Sequence, residues 1–73
     1  MIEVPDLQKF AEGLGAFIYG LLPELEPEKL NATARRFVQT MNVNINLGDE
    51  QVATSFYLHV ANGYIQAERE SQQ

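Results

Sequence analysis

Apolar residues recur every three or four positions in the first segment of the chain, the spacing of one face of an α-helix. They are Leu7, Phe10, Ala11, Leu14, Phe17, Ile18, Leu21 and Leu22. Pro5 suits a first helical turn, where its missing N–H costs nothing, and Asp6 lies at the positive end of the helix dipole. Pro23 disfavours the helical conformation at the residue before it. The pattern predicts helix 1 over residues 5–22.

The same spacing returns in the second segment. Its apolar positions are Leu30, Ala34, Phe37, Val38 and Met41. Pro27 again fits the first helical position, and Glu26 and Glu28 place negative charge at the N-terminus. These features predict an amphipathic helix 2 over residues 27–41, whose solvated face carries Lys29 and the pair Arg35-Arg36.

The third segment has two competing interpretations. Polar and apolar residues alternate from Asn42 to Leu47 and again from Val52 to Val60, as in half-buried strands. Asn62-Gly63 is a strong two-residue hairpin signal. Together these features predict an α+β protein, with two N-terminal helices packed on a three-stranded antiparallel meander spanning residues 43–68.

A helix is the favoured interpretation of the same segment. Asp49 followed by Glu50 forms a typical helix start. Val52, Phe56, Val60, Tyr64 and Ala67 also satisfy helical spacing. Gly63 costs such a helix about 1 kcal/mol, which packing can offset. We therefore predict an all-α protein, a single three-helix domain over residues 1–73 with an extended connector before helix 3 (49–70) and a short tail (71–73).

Charge and composition narrow the class of partner. The chain has ten acidic and five basic residues and a net charge of −5, so direct binding to nucleic acid or to an anionic membrane is not expected. It has no cysteine and one histidine, and we predict no cofactor or metal. The uncharged run 13–22 is shorter than the roughly 20 residues of a membrane span and lacks the flanks of a secretion signal. These features predict a cytoplasmic protein.

No candidate catalytic or metal site in the sequence has a complete set of functional groups. Asn42, Asn44, Asn46 and Gly48 resemble a calcium loop, but Leu47 stands where the loop needs glycine and Ala53 where it needs glutamate. Ser55 and His59 are one helical turn apart, yet the sequence shows no third group to orient the imidazole. We therefore predict that the protein is not an enzyme.

The predicted helix 3 is apolar over more than half of its circumference, and two short helices can cover only one side of it. Leu58, Ala61 and Ile65 are left for a partner. Tyr57 and Tyr64 offer large contact areas with polar tips, which suits an interface, although the edge of the core is the favoured position for each tyrosine taken singly. On helix 1, small residues one turn apart permit close approach of another helix, either from the same chain or from a second protomer. They are Gly13, Ala16 and Gly20, whereas Gly15 lies off this stripe.

These eight residues form the predicted interface of a small protein–protein interaction module. We expect a regulator or inhibitor, or a subunit of a homo-oligomeric assembly, with a homodimer as the expected state. An acidic mimic of nucleic acid, which inhibits a DNA- or RNA-handling protein, is the alternative.

Overall fold

The computed structural model of the chain describes residues 2–72, which form three helices and two very short strands. In chain order these are β1 (Ile2–Glu3), α1 (Leu7–Leu21), α2 (Pro27–Met41), β2 (Val43–Asn44) and α3 (Glu50–Ser71). The all-α prediction is confirmed, and the alternative three-stranded meander is wrong, since a continuous helix occupies the region of its second and third strands.

Local signals set the helix starts. The Asp6 carboxylate accepts a hydrogen bond from the backbone N–H of Lys9 at 3.2 Å, so Asp6 is the N-cap of α1. Pro5 therefore precedes the helix, and the predicted start at residue 5 is two residues early. Pro27 occupies the first turn of α2 as expected. The Asp49 carboxylate accepts from the N–H groups of Gln51 and Val52 at 3.0 and 3.3 Å, which caps α3.

The connector between α2 and α3 follows the alternation in its sequence. Asn42 ends α2 in the left-handed conformation (φ 54°, ψ 48°). After it Val43 is buried, Ile45 is half-buried, and Asn46 is exposed. β2 pairs with β1 in parallel, with Ile2 opposite Val43. This pairing has no signature in the sequence, because two residues carry too little pattern to identify a strand.

α1 and α3 run in the same direction. The rings of Phe10 and Phe56 have centroids 6.4 Å apart, and those of Tyr19 and Tyr64 lie 5.3 Å apart, so the contacts advance together along both helices. The parallel pairing of β1 and β2, which lead into α1 and α3, has the same sense. α2 returns antiparallel to both, and most of the close backbone approach in the molecule is between α1 and α3. The three helices enclose one core, formed by Ala11, Leu14, Ile18, Leu30, Ala34, Val38, Val43, Phe56, Val60 and Tyr64.

Two glycines allow α1 and α3 to come this close. A Cβ on Gly15 would overlap the carbonyl oxygen of Val60 and stand 2.7 Å from the backbone nitrogen of Tyr64. A Cβ on Gly63 would overlap the carbonyl oxygen of Glu12 and stand 2.6 Å from its Cα. Both positions therefore require glycine because a side chain would clash with the facing helix. Gly63 accordingly lies inside α3 and does not form the predicted hairpin turn.

The predicted small-residue stripe does not seat another helix of this chain. A Cβ on Gly13 or Gly20 would meet nothing within 4 Å, and Ala16 is exposed. The prediction that the stripe seats another helix of the same chain is therefore wrong. Gly15, which lies off the stripe, is the residue of α1 that allows the close approach of α3. Gly15 lies between Ala11 and Ile18 on the face that carries the large apolar residues, whereas the stripe lies on the opposite side.

Tyr64 connects α3 by hydrogen bonds to the loop between α1 and α2. Its hydroxyl donates to the carbonyl oxygen of Leu22 at 2.7 Å and accepts from the N–H of Leu25 at 2.9 Å. Its side chain is only 6% exposed. Tyr64 therefore has the core position favoured for a single tyrosine and does not lie in the exposed part of the predicted interface, because both its ring and its hydroxyl make contacts within the chain.

Candidate protein-docking surfaces

Large apolar side chains remain exposed on two sides of the described structure. Their exposed fractions are Phe17 57%, Leu21 55%, Leu22 43%, Met41 37%, Leu58 59% and Ile65 46%. The first four lie on α1, at its C-cap, and at the end of α2, while the last two lie on α3. The two sets belong to separate surfaces with different linings.

The first surface is an open groove between α2 and α3, here called the α2–α3 groove. It encloses about 440 Å³. Its lining is formed by Pro27, Leu30, Asn31, Thr54, Tyr57, Leu58 and Ala61. Leu58 is exposed, Tyr57 and Ala61 are half-buried, and Ile65 lies one turn beyond on the outer side of α3. Four residues of the predicted interface therefore lie in or beside this groove.

The second surface, here called the α1–α2 face, consists of Phe17, Leu21, Leu22, Phe37 and Met41. The rings of Phe17 and Phe37 meet edge to face at 5.8 Å across the helix pair. Phe37 lines one hollow with Phe17 and Met41 and another with Leu22, so the apolar surface is continuous along the pair.

Several residues of the α1–α2 face were expected in the core but are exposed. The helical pattern places Phe17, Leu21 and Met41 with the buried residues, but their side chains lie at the edge of the stripe, where the neighbouring helix does not reach over them. The apolar stripe on α1 is wider than its partners can cover. The excess was predicted for α3 alone, but the number of apolar positions around α1 indicates it here as well.

Opposite charges stand at the two ends of the α1–α2 face. Lys9 lines the hollow that contains Phe17 and Met41, near the start of α1. Glu24 lines the hollow that contains Leu21 and Leu22, just beyond the end of α1. Between these two residues the sequence of α1 has one charged residue, Glu12, which lies beside Gly63 and away from this face. On the α2 side of the face, Arg36 lines the hollow that contains Leu22 and Phe37.

The residues of the candidate catalytic and calcium sites do not come together to form a site. His59 is half-buried, its Nδ1 atom has no hydrogen-bond partner, and the described residues show no hydrogen bond between it and Ser55. Within residues 2–72, no group of three or more histidine, cysteine, aspartate or glutamate side chains is placed to hold a metal ion. Asn42 and Asn46, from the suspected calcium loop, serve instead in a helix C-cap and in a turn, where the Asn46 side chain accepts from the N–H of Gly48 at 3.1 Å.

None of the three helices has the length and apolar character needed to cross a membrane, over the part of the chain that is described. Comparison with known proteins finds no matching family model, no matching curated protein and no matching solved structure.

Proposed function

We propose that this chain is a small non-enzymatic protein–protein interaction module, a regulator, an inhibitor or an assembly subunit, which docks a partner protein in the α2–α3 groove. The supporting observation is that Leu58, a residue 59% exposed, lies directly beside the half-buried Tyr57 and Ala61. Exposed apolar residues that adjoin partly buried ones form a surface that a partner can desolvate.

The lining of the groove indicates the chemistry of that partner. Its apolar floor comes from Leu30, Tyr57 and Ala61, and Asn31 and Thr54 supply a polar rim. Tyrosines at the centre of such surfaces often supply a large share of the binding energy. A row of aliphatic or aromatic side chains from an amphipathic helix fits this arrangement, since it fills an apolar groove without needing buried charge.

A small metabolite fits the groove less well. The volume of about 440 Å³ lies within the range of ligand pockets, but the groove is open, and its lining includes no ionisable group other than the hydroxyl of Tyr57. Specific small-molecule sites combine an enclosed apolar cavity with a few converging polar groups.

The proposal is tested by site-specific crosslinking in the cells that make the protein. A photo-crosslinking amino acid is placed at position 58 and, as the matched control, at position 62, which is also exposed on α3. We expect a discrete crosslinked product from position 58 alone. A product with a second copy of the chain identifies the assembly-subunit form, and the absence of any product specific to position 58 overturns the proposal.

Binding of the purified partner then separates the two candidate functions. Docking in the groove predicts that Leu58→Ser weakens binding at least tenfold, that Asn62→Ser does not, and that affinity changes little between 50 and 500 mM NaCl. An acidic mimic of nucleic acid predicts a steep loss of affinity over the same salt range and no effect of Leu58→Ser. That second pattern would contradict docking in the groove.

A further inference from the structure

The hydroxyl of Tyr64 is the only side-chain group within residues 2–72 whose hydrogen bonds join distant parts of the chain. It bonds to the carbonyl oxygen of Leu22 and to the N–H of Leu25, across 42 and 39 positions. Every other side-chain hydrogen bond in the described chain joins residues at most four positions apart. The loop between α1 and α2 is therefore attached to α3 by the polar contacts of one residue.

The loop has little else to hold it. Residues 22–26 lie between the last residue of α1 and Pro27, the first residue of α2. All of them are exposed except Leu25, which is half-buried against the core. If the loop moved away from Tyr64, the freed carbonyl of Leu22 and N–H of Leu25 could bond to water, so no buried polar group would be left without a partner.

α2 packs less closely on the molecule than α1 and α3 pack on each other. α1 and α3 meet backbone to backbone at Gly15 and Gly63, and most of the close backbone approach in the molecule is between them. α2 contains no glycine, and open hollows of about 440 and 390 Å³ lie on its α3 side and its α1 side. α1 and α3 therefore form the firmer pair, and α2 has space to move relative to both.

The two ends of α2 are held differently. Its C-terminal end continues into β2, which pairs with β1, and Val43 there is buried. Its N-terminal end directly follows the loop that Tyr64 holds. Pro27, Leu30 and Asn31, which form the α2 wall of the α2–α3 groove, lie in the first two turns after that loop. The position of this end of α2 therefore sets the width of the groove.

We propose that the hydrogen bonds of the Tyr64 hydroxyl form a latch that holds the N-terminal end of α2 against α3. When these bonds break, that end swings outward about the Asn42 end of α2 and widens the α2–α3 groove. The opening costs less free energy than unfolding the whole chain, because the close contact at Gly15 and Gly63 stays formed. A docking segment too large for the closed groove would select the open form, and this consequence alone rests on the proposed function.

The test is the distance between α2 and α3 at each end of α2, measured on the full chain by electron paramagnetic resonance of paired spin labels. The chain has no cysteine, so introduced cysteines define the label positions. Glu28→Cys with Asn62→Cys reports on the latched end, and Gln39→Cys with Gln51→Cys reports on the other end. All four positions are exposed.

We expect Tyr64→Phe to add a population several ångströms longer to the distances of the first pair and to leave the second pair unchanged. Tyr19→Phe is the matched control, since the Tyr19 ring packs on that of Tyr64 but its hydroxyl makes no hydrogen bond within the described residues. It should leave both pairs unchanged. A Tyr64→Phe variant without the longer population, or with equal broadening at both pairs, overturns the proposal.

Amide hydrogen exchange of the wild type decides the matter if Tyr64→Phe disturbs folding. In α2 the N–H of Leu30 bonds to the carbonyl of the N-cap residue, as the N–H of Ala53 does in α3, so residues 30–33 and 53–56 are equivalent turns. Protection should be at least tenfold lower in residues 30–33, and equal protection of the two turns overturns the proposal. Both measurements use the free chain, so the motion and the docking of a partner can fail separately.

Discussion

Glycine has two different structural roles in α1. Gly13 and Gly20 stand over open space, whereas Gly15 has backbone atoms of Val60 and Tyr64 where its own Cβ would be. The same residue type is therefore replaceable at two positions and required at a third. The difference depends on which side of the helix faces α3, and not on the glycine itself.

Substitution by alanine should separate these roles. We expect Gly15→Ala to lower the free energy of unfolding by about 2 kcal/mol, because the added methyl meets backbone that can move only if the helices separate. Gly13→Ala should raise it by up to about 1 kcal/mol, the difference in helix propensity. Urea denaturation of both variants at the same low micromolar concentration measures the two values. Equal effects would contradict the close packing of α1 on α3.

At the scale of the elements, the ends of the helices depend on single residues. Asp6 and Asp49 cap α1 and α3 through their carboxylates, and Asn42 ends α2 by adopting a left-handed backbone conformation. The N–H of Asn42 makes the last hydrogen bonds of the helix, to the carbonyl oxygens of Val38 and Gln39, and its left-handed conformation then redirects the chain into β2. Asparagine and glycine tolerate this geometry better than other residues.

Two substitutions at Asn42 test this end of α2. Asn42→Ala should destabilise the protein by about 1 kcal/mol, since a Cβ without a compensating polar group disfavours positive φ. Asn42→Gly should change stability by only a few tenths of that amount, because glycine adopts the conformation readily. Thermal melts compare them, with roughly 4–8 °C expected per kcal/mol in a domain of this size. Identical melting temperatures would contradict the role of the left-handed residue.

The elements were predictable where a local signal decides. Pro27 and Asp49 identify the starts of α2 and α3 within one residue, because proline at the first turn and a capping carboxylate act on their immediate neighbours. Pro5 was misplaced, since Asp6 beside it is the stronger cap. The pairing of β1 with β2 depends on tertiary placement of residues some 40 positions apart and has no local signature.

The candidate surfaces were partly predictable for the same reason. The sequence shows that apolar residues cover more of the circumference of α3 than the other two helices can bury. Exposure of Leu58 and Ile65 follows from this excess. Burial of Tyr64 depends on the position of the loop carbonyl of Leu22, and exposure of Phe17 depends on how far α2 reaches. Both are properties of the assembled molecule.

At the scale of the whole molecule, the fold leaves two separate apolar surfaces, the α2–α3 groove and the α1–α2 face. The two surfaces have no lining residue in common. A substitution on one surface therefore leaves the lining of the other unchanged.

Docking in the α2–α3 groove should couple the stability of the chain to the concentration of its partner. A partner that binds only the folded chain raises the melting temperature by mass action. We expect the melting temperature of the wild type to rise as the purified partner is added, and that of Leu58→Ser to rise much less. Scanning calorimetry at several partner concentrations measures the slope. A wild-type melting temperature independent of partner concentration would contradict the coupling.

The parallel packing of α1 on α3 has a consequence for how the protein is made. The helix that α1 needs most is synthesised after both α1 and α2, so the nascent chain holds Ala11 and Ile18 uncovered until α3 has left the ribosome. Helical proteins usually fold fast through contacts between neighbouring helices, but here most contacts join the first helix to the third, which slows folding for a protein of this class. A chain terminated before α3 would lack the cover for that surface altogether and would be a substrate for chaperones and proteases.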